Sequence, residues 1–70
     1  MLKGGTAPSC IGRITGPKVK WVHVSNKCGK TMKVKVIIKH DYDSSCTKLR
    51  NGQYFVYYWD WGTYQRTVTC

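Results

Sequence analysis

The clearest pattern in the chain runs from Thr31 to His40, where Met32, Val34, Val36 and Ile38 alternate with Lys33, Lys35 and Lys39. Successive side chains of a strand point to opposite faces, so this alternation predicts a half-buried antiparallel strand with a basic outer face. Ile37 breaks the pattern, and an aromatic partner on a neighbouring strand is expected beside it. Upstream, Cys10 to Thr15 reads as a short first strand closed by Gly16-Pro17. Lys18 to Ser25, rich in Val and Trp, reads as a second strand ended by Asn26. Downstream, Asp41 to Ser45 forms a polar turn and Cys46 to Leu49 a fourth strand. Asn51-Gly52 then predicts a two-residue type I′ hairpin, because both residues tolerate positive φ. The fifth strand, Gln53 to Trp59, is almost wholly aromatic and β-branched, so both of its faces are expected to be partly covered. Asp60, Trp61 and Gly62 interrupt it, and Thr63 to Cys70 is the last strand. Six short strands with frequent turns and no helical stripe predict a small all-β sandwich or barrel.

A chain of 70 residues makes one domain and leaves no room for a cleft between lobes. It also buries little apolar surface, so it needs further cross-linking to be comfortably stable. Cys10, Cys28, Cys46 and Cys70 supply it as two disulfides, each worth roughly 2–4 kcal/mol. Paired cysteines persist in oxidising surroundings, which points to a secreted, extracellular protein. Structural zinc sites bring their cysteines in close pairs, and none occurs here. Spacing alone leaves three disulfide pairings open. Residues 1–9 are expected to form a loose leader, with Met1 to Gly5 an expression remnant or a processed edge, and residues 10–70 the domain. Met1 to Gly5 is too short and too glycine-rich for the apolar part of a signal peptide. No run approaches the roughly 18 apolar residues of a membrane-spanning helix.

Charge narrows the partners. Twelve Lys and Arg oppose Asp41, Asp43 and Asp60 alone, giving a formal net charge of +9. Such an excess creates a long-range positive potential suited to acidic proteins, anionic lipid, acidic wall polymers or nucleic acid. Lys18, Lys20, Lys33, Lys35 and Lys39 are expected to make a basic stripe on adjoining strands. Lysines also protect sheet edges, but solubility alone does not require acids to be so scarce. Tyr54, Phe55, Tyr57, Tyr58, Trp59, Trp61 and Tyr64 crowd the C-terminal third. Tyr54 to Tyr58 reads as a ladder of cross-strand pairs. Trp59 and Trp61, beside the break at Gly62 and together with Arg50, are the stronger candidates for binding sugars, bases or a lipid interface.

Catalysis and metal binding find little support. Three acids, two of them in one turn, do not provide a flanking pair for glycoside hydrolysis. No arrangement of Ser, Cys or His resembles a nucleophile elbow or a triad. His23 and His40 lack matching metal ligands once the cysteines are bonded. Asp41-Tyr42-Asp43-Ser44 lacks the later glycine and glutamate of a calcium loop, and its carboxylates are expected to bond local backbone amides instead. A non-enzymatic binding protein, monomeric and without cofactor or metal, is the expectation.

A set of residues carries a resemblance. Ala7-Pro8-Ser9-Cys10, then Thr31, Val34-Lys35-Val36 and Asp41 after Cys28, Cys46 eighteen residues beyond Cys28, then Gly52-Gln53, Gly62 and Cys70 follow one pattern from Ala7 to Cys70. This pattern resembles the proteinaceous α-amylase inhibitors of Streptomyces, the tendamistat-like family. The resemblance implies a six-stranded, two-sheet antiparallel sandwich with disulfides Cys10–Cys28 and Cys46–Cys70. It implies a non-enzyme that presents an exposed Trp-Arg-Tyr triplet, on a loop between the first two strands, to the active cleft of an amylase. The chain departs at that triplet. The only Trp ahead of Cys28 is Trp21, followed by Val22 and His23, and the stretch from Trp21 to Cys28 is two residues shorter than in the family. An arginine pairs bidentately with carboxylates and a valine cannot, so His23 is left to supply a ring and a partial charge.

Two readings follow. In the first, Trp21, Val22 and His23 form an inhibitory edge directed at a glycoside hydrolase. In the second, the lysines make a cationic antimicrobial protein that binds an anionic membrane or cell-wall polymer, with Trp59 and Trp61 as interface anchors. Nucleic acid ranks last, since no RNA-binding or zinc-finger signature is present.

Overall fold

The computed structural model describes residues 6–70, so Met1 to Gly5 lies outside the described residues. Six strands follow one another: β1 (Ile11–Ile14), β2 (Trp21–Asn26), β3 (Met32–Lys39), β4 (Thr47–Leu49), β5 (Tyr54–Tyr58) and β6 (Thr63–Thr69). They form two antiparallel sheets of three, ordered β1-β2-β5 and β4-β3-β6. No helix occurs among the described residues.

Alternation explains how the sheets meet. Val22 and Val24 of β2 turn inward from one sheet, and Val34, Val36 and Ile38 of β3 from the other. With Ile11, Leu49, Trp59 and Ala7 they form one core, against which Phe55, Tyr57, Tyr64, Met32 and Cys28 pack. Each fully buried aliphatic side chain contributes roughly 1.5–3 kcal/mol of transfer free energy. The core is therefore modest, and the cross-links matter. Cys10–Cys28 and Cys46–Cys70 are both formed, and no cysteine is free.

Asn26 joins the two sheets. Its side chain is fully buried. Nδ2 donates to the carbonyls of Leu49 and Lys30, both at 2.8 Å, and Oδ1 accepts from the Cys28 amide at 2.8 Å. Its backbone amide donates to Gln53 O and its carbonyl accepts from the Gly52 amide. A residue expected only to end a strand thus saturates its hydrogen-bonding groups and ties β2 to the end of β4.

Several expectations need revision. Asn51-Gly52 does not close a hairpin, because β4 and β5 belong to different sheets. The Gln53 amide bonds Arg50 O at 3.0 Å and only Gly52 of the central pair has positive φ, at 88°. That combination is a type II turn, used here to carry the chain from one sheet to the other. β2 starts at Trp21 rather than Lys18, since Pro17 and Lys18 lie in a turn. Ile37 lies opposite Arg66 rather than an aromatic, next to a bulge that leaves Gln65 unmatched. The segment before Cys10 is not loose in its described part. Thr6 bridges Val68, the Ala7 amide donates to Thr67 O at 2.9 Å, and Ala7 is buried.

Candidate functional site

The outward face of the first sheet is built by the same alternation that fills the core. Trp21 lies opposite Tyr58, Ile14 and Val56 flank His23, and Ser25 lies opposite Tyr54. Tyr54, Tyr58 and Ile14 are among the most exposed large apolar side chains, Tyr58 at 70% and Tyr54 at 62%. His23 stacks on Tyr54 with ring centroids 4.7 Å apart, the diagonal contact available to long side chains on one sheet face. That stacking leaves His23 half-buried, with Nδ1 without a hydrogen-bond partner.

The aromatic face continues onto one end of the sandwich. There the β1–β2 loop, the β3–β4 loop and the β5–β6 loop converge, because β2 begins where β5 ends and β3 ends where β6 begins. A crevice of about 430 Å³ lies between them, lined by Lys20, His40, Trp61, Gly62 and Thr63. Trp61 is 71% exposed. Gly62 is the hub. Its carbonyl accepts from Lys20 Nζ at 2.6 Å and from the Trp59 indole Nε1 at 3.2 Å. The Trp59 amide in turn donates to Lys20 O at 3.0 Å. His40, at φ 70°, carries the chain out of β3 into this end.

Asp41 fixes the loop that bears Trp61. Oδ1 accepts from the Tyr42 amide at 2.7 Å and Oδ2 from the Trp61 amide at 3.2 Å. These amides, with that of Asp60 and the nearby positive charge of Lys20, hold the Asp41 carboxyl below its ordinary value. Asp43 Oδ1 accepts from the Ile38 amide at 3.0 Å. Both carboxylates of the polar turn thus bond backbone amides, Asp41 reaching one across the loop end as well. Behind them the Tyr57 hydroxyl donates to Tyr42 O at 2.9 Å. Burial, reinforced by Asp41 and Asp43, raises its pKa above that of an ordinary tyrosine.

The expected site residues are redistributed. Trp21, Val22 and His23 lie within β2 and not on the loop before it. Val22 is 0% exposed and faces the core. Only Trp21 and His23 reach the outer face. Trp59 is 6% exposed and belongs to the core, whereas Trp61 is free. The basic stripe is split. Lys18 and Lys20 sit on the loop joining strands of the first sheet, while Lys33, Lys35 and Lys39 project from the second, and Arg50 lies in the β4–β5 turn. Among the described residues no group of three His, Cys, Asp or Glu side chains is placed to hold a metal.

The family model for alpha amylase inhibitors matches residues 6–70. This chain belongs to the alpha amylase inhibitor family. No match was found among curated proteins or among solved structures. Membership sharpens what is unusual about the loop end. The loop between the first two strands, residues 15–20, carries Lys18, Val19 and Lys20 with no aromatic residue. The rings beside it come from other segments: half-buried Trp21 from β2, and exposed Tyr58 from β5 and Trp61 from the β5–β6 loop. Tyr58 was hidden from sequence reasoning inside an apparent ladder, because its exposure depends on the β2–β5 register, which no local pattern encodes.

Proposed function

We propose that this protein is a secreted inhibitor of an α-amylase-type glycoside hydrolase, docking the loop end of its first sheet into the enzyme's active cleft. The family match over residues 6–70 carries this reading. Geometry supports the location, since Lys20, with the exposed rings of Tyr58 and Trp61 and the half-buried Trp21, offers a cation among aromatics on a frame pinned by two disulfides. Glycoside hydrolases place paired carboxylates in their clefts, and the Lys20 ammonium is the complementary charge. Lysine acts as a point charge where an arginine would clamp two oxygens, so the rings carry more of the affinity. A preorganised frame loses little entropy on docking. A stable inhibitor complex needs roughly 800 Å² from each partner, a modest part of the 4893 Å² accessible surface, which one sheet face and its end can provide. The two disulfides suit an oxidising, extracellular location.

The test is titration of α-amylases with the oxidised protein while residual activity is followed. A one-to-one endpoint is expected, with inhibition weakened at least tenfold by Trp61→Ala or Trp21→Ala and less by His23→Ala. Absence of inhibition of several amylases at micromolar protein refutes the proposal.

A further inference from the structure

We propose that the outer face of the β4-β3-β6 sheet is a second, independent docking surface, for a linear and flexible phosphate polymer of the kind found in anionic cell walls. Alternation along β3 places Lys33, Lys35, Ile37 and Lys39 opposite to the core residues Val34, Val36 and Ile38. The register adds Lys48, directly across from Lys33, and Arg66, directly across from Ile37. Like charges directly opposite one another destabilise a sheet, so the Lys33–Lys48 pair is a cost that a bound anion would relieve.

Three observations select the partner. First, Lys33, Lys35, Lys48 and Arg66 form no ion pair among the described residues. Asp41 and Asp60 lie in the loops at the far end, and Asp43, also in a loop, accepts the Ile38 amide beside that end of β3. Protection of a sheet edge accounts poorly for Lys33 and Lys35, because β4 flanks β3 at Met32–Val34 and Ser44 and Asp43 take up its amides at Val36 and Ile38. Second, the charges occupy successive rows: Lys33 with Lys48, then Lys35, then Arg66. Rows on one face repeat every two residues, or roughly 7 Å, so the set spans about 14 Å along the strand. A single phosphate satisfies one row; a chain of phosphates satisfies all three. Third, among the described residues the exposed large apolar side chains are Ile14, Tyr42, Tyr54, Tyr58 and Trp61, and none is on a strand of this sheet. A membrane interface favours Trp or Tyr anchors, and single-stranded nucleic acid favours stacking rings. A wall-type phosphate chain requires neither.

The test measures binding of the whole oxidised protein to poly(glycerol phosphate) and to inorganic polyphosphate between 50 and 200 mM salt. Phosphatidylglycerol vesicles and oligo(dT) are compared at equal phosphate. For flexible polyanions each neutralised phosphate contributes about −0.7 to the slope of log K against log salt. K33Q/K35Q/K48Q/R66Q is expected to flatten that slope by about 3, whereas the charge-matched K18Q/K27Q/K30Q/R50Q retains most of it. Equal loss in the two quadruple variants overturns the proposal, since net charge alone would then explain binding. No binding to either phosphate polymer at 50 mM salt, or preference for vesicles or oligo(dT), also overturns it. The proposal stands apart from the amylase reading: K33Q/K35Q/K48Q/R66Q should keep the same α-amylase endpoint as the unmodified protein, which also shows that it folds.

Discussion

Two glycines with the same backbone conformation isolate what holds the loop end together. Gly52 and Gly62 both have φ of 88°. A Cβ at Gly52 meets nothing within 4 Å, whereas one at Gly62 would overlap the carbonyl oxygen of Lys39. Alanine at either position incurs the left-handed backbone penalty, roughly 1–2 kcal/mol. At Gly62 the loop must also move away from β3. Displacement breaks the bond from the buried Trp59 indole to Gly62 O, and an unsatisfied buried donor costs about 1–3 kcal/mol. Gly62→Ala is therefore expected to destabilise the protein by about 2 kcal/mol more than Gly52→Ala. Urea unfolding of the oxidised variants measures this as a shift in midpoint at unchanged m-value. Because Gly62 O also anchors Lys20 Nζ, Gly62→Ala should weaken amylase inhibition while Gly52→Ala leaves it intact. A difference below about 0.5 kcal/mol between the variants would refute the argument, showing that the loop relaxes freely and that Lys39 does not set the position of Trp61.

Three further outcomes are expected. Asn26→Ala should cost roughly 3 kcal/mol by urea unfolding, because it strands the Leu49 carbonyl and the Cys28 amide that the side chain satisfies. Removing Cys46–Cys70, with a sequence separation of 24, should lower stability by about 3 kcal/mol on the loop-entropy account, and Cys10–Cys28, with a separation of 18, by nearly as much. Since the folded state depresses the Asp41 pKa, the stability it lends is present above the ordinary carboxylate value of 3.8 and is lost as pH falls below it through the folded value. Asp41→Asn should flatten that acid limb of the pH–stability curve, and Trp61 fluorescence, followed in a variant retaining only that tryptophan, should report the loop's release.

Legibility followed sequence distance. Strand alternation is a local signal, so β3 is legible to within a residue, together with its Lys and Val faces. The six strands, the two sheets and both disulfides agree with the resemblance read from Cys10, Cys28, Cys46 and Cys70. Sheet membership was less visible. Asn51-Gly52 carries the local signature of a hairpin, yet the same dipeptide serves a crossing between layers, because the choice depends on which strands bury which faces. Trp59 and Trp61 differ by two positions and look equivalent in the chain. One is buried and the other exposed because the chain leaves β5 at Tyr58 and bends through residues 60–62, so strand alternation no longer relates them. Val22 follows the alternation of β2 and points inward between Trp21 and His23. A contiguous triplet cannot face one partner from within a strand, since its middle residue must point the other way.

The distribution of work across the molecule explains how family membership and a different set of side chains displayed at the loop end can coexist. The groups that define the frame cluster away from the aromatic loop end: Cys10–Cys28, the Asn26 network and the Arg50–Gln53 turn all lie where β2 ends and β4 stops. The loop end is held by a separate set, Gly62, Asp41, Trp59 and Lys20, whose bonds run mostly to backbone atoms. Backbone partners do not specify which side chains the loops display. Trp61 contributes its amide to Asp41 while its ring stays exposed, and Lys20 contributes its carbonyl to Trp59. Such loops can exchange display residues without disturbing the core, so the rings that one contiguous triplet would supply can instead be gathered from three separate segments. The fold then transfers with the cysteines and the alternating valines, whereas the target is set by which side chains the loop backbone is left free to present.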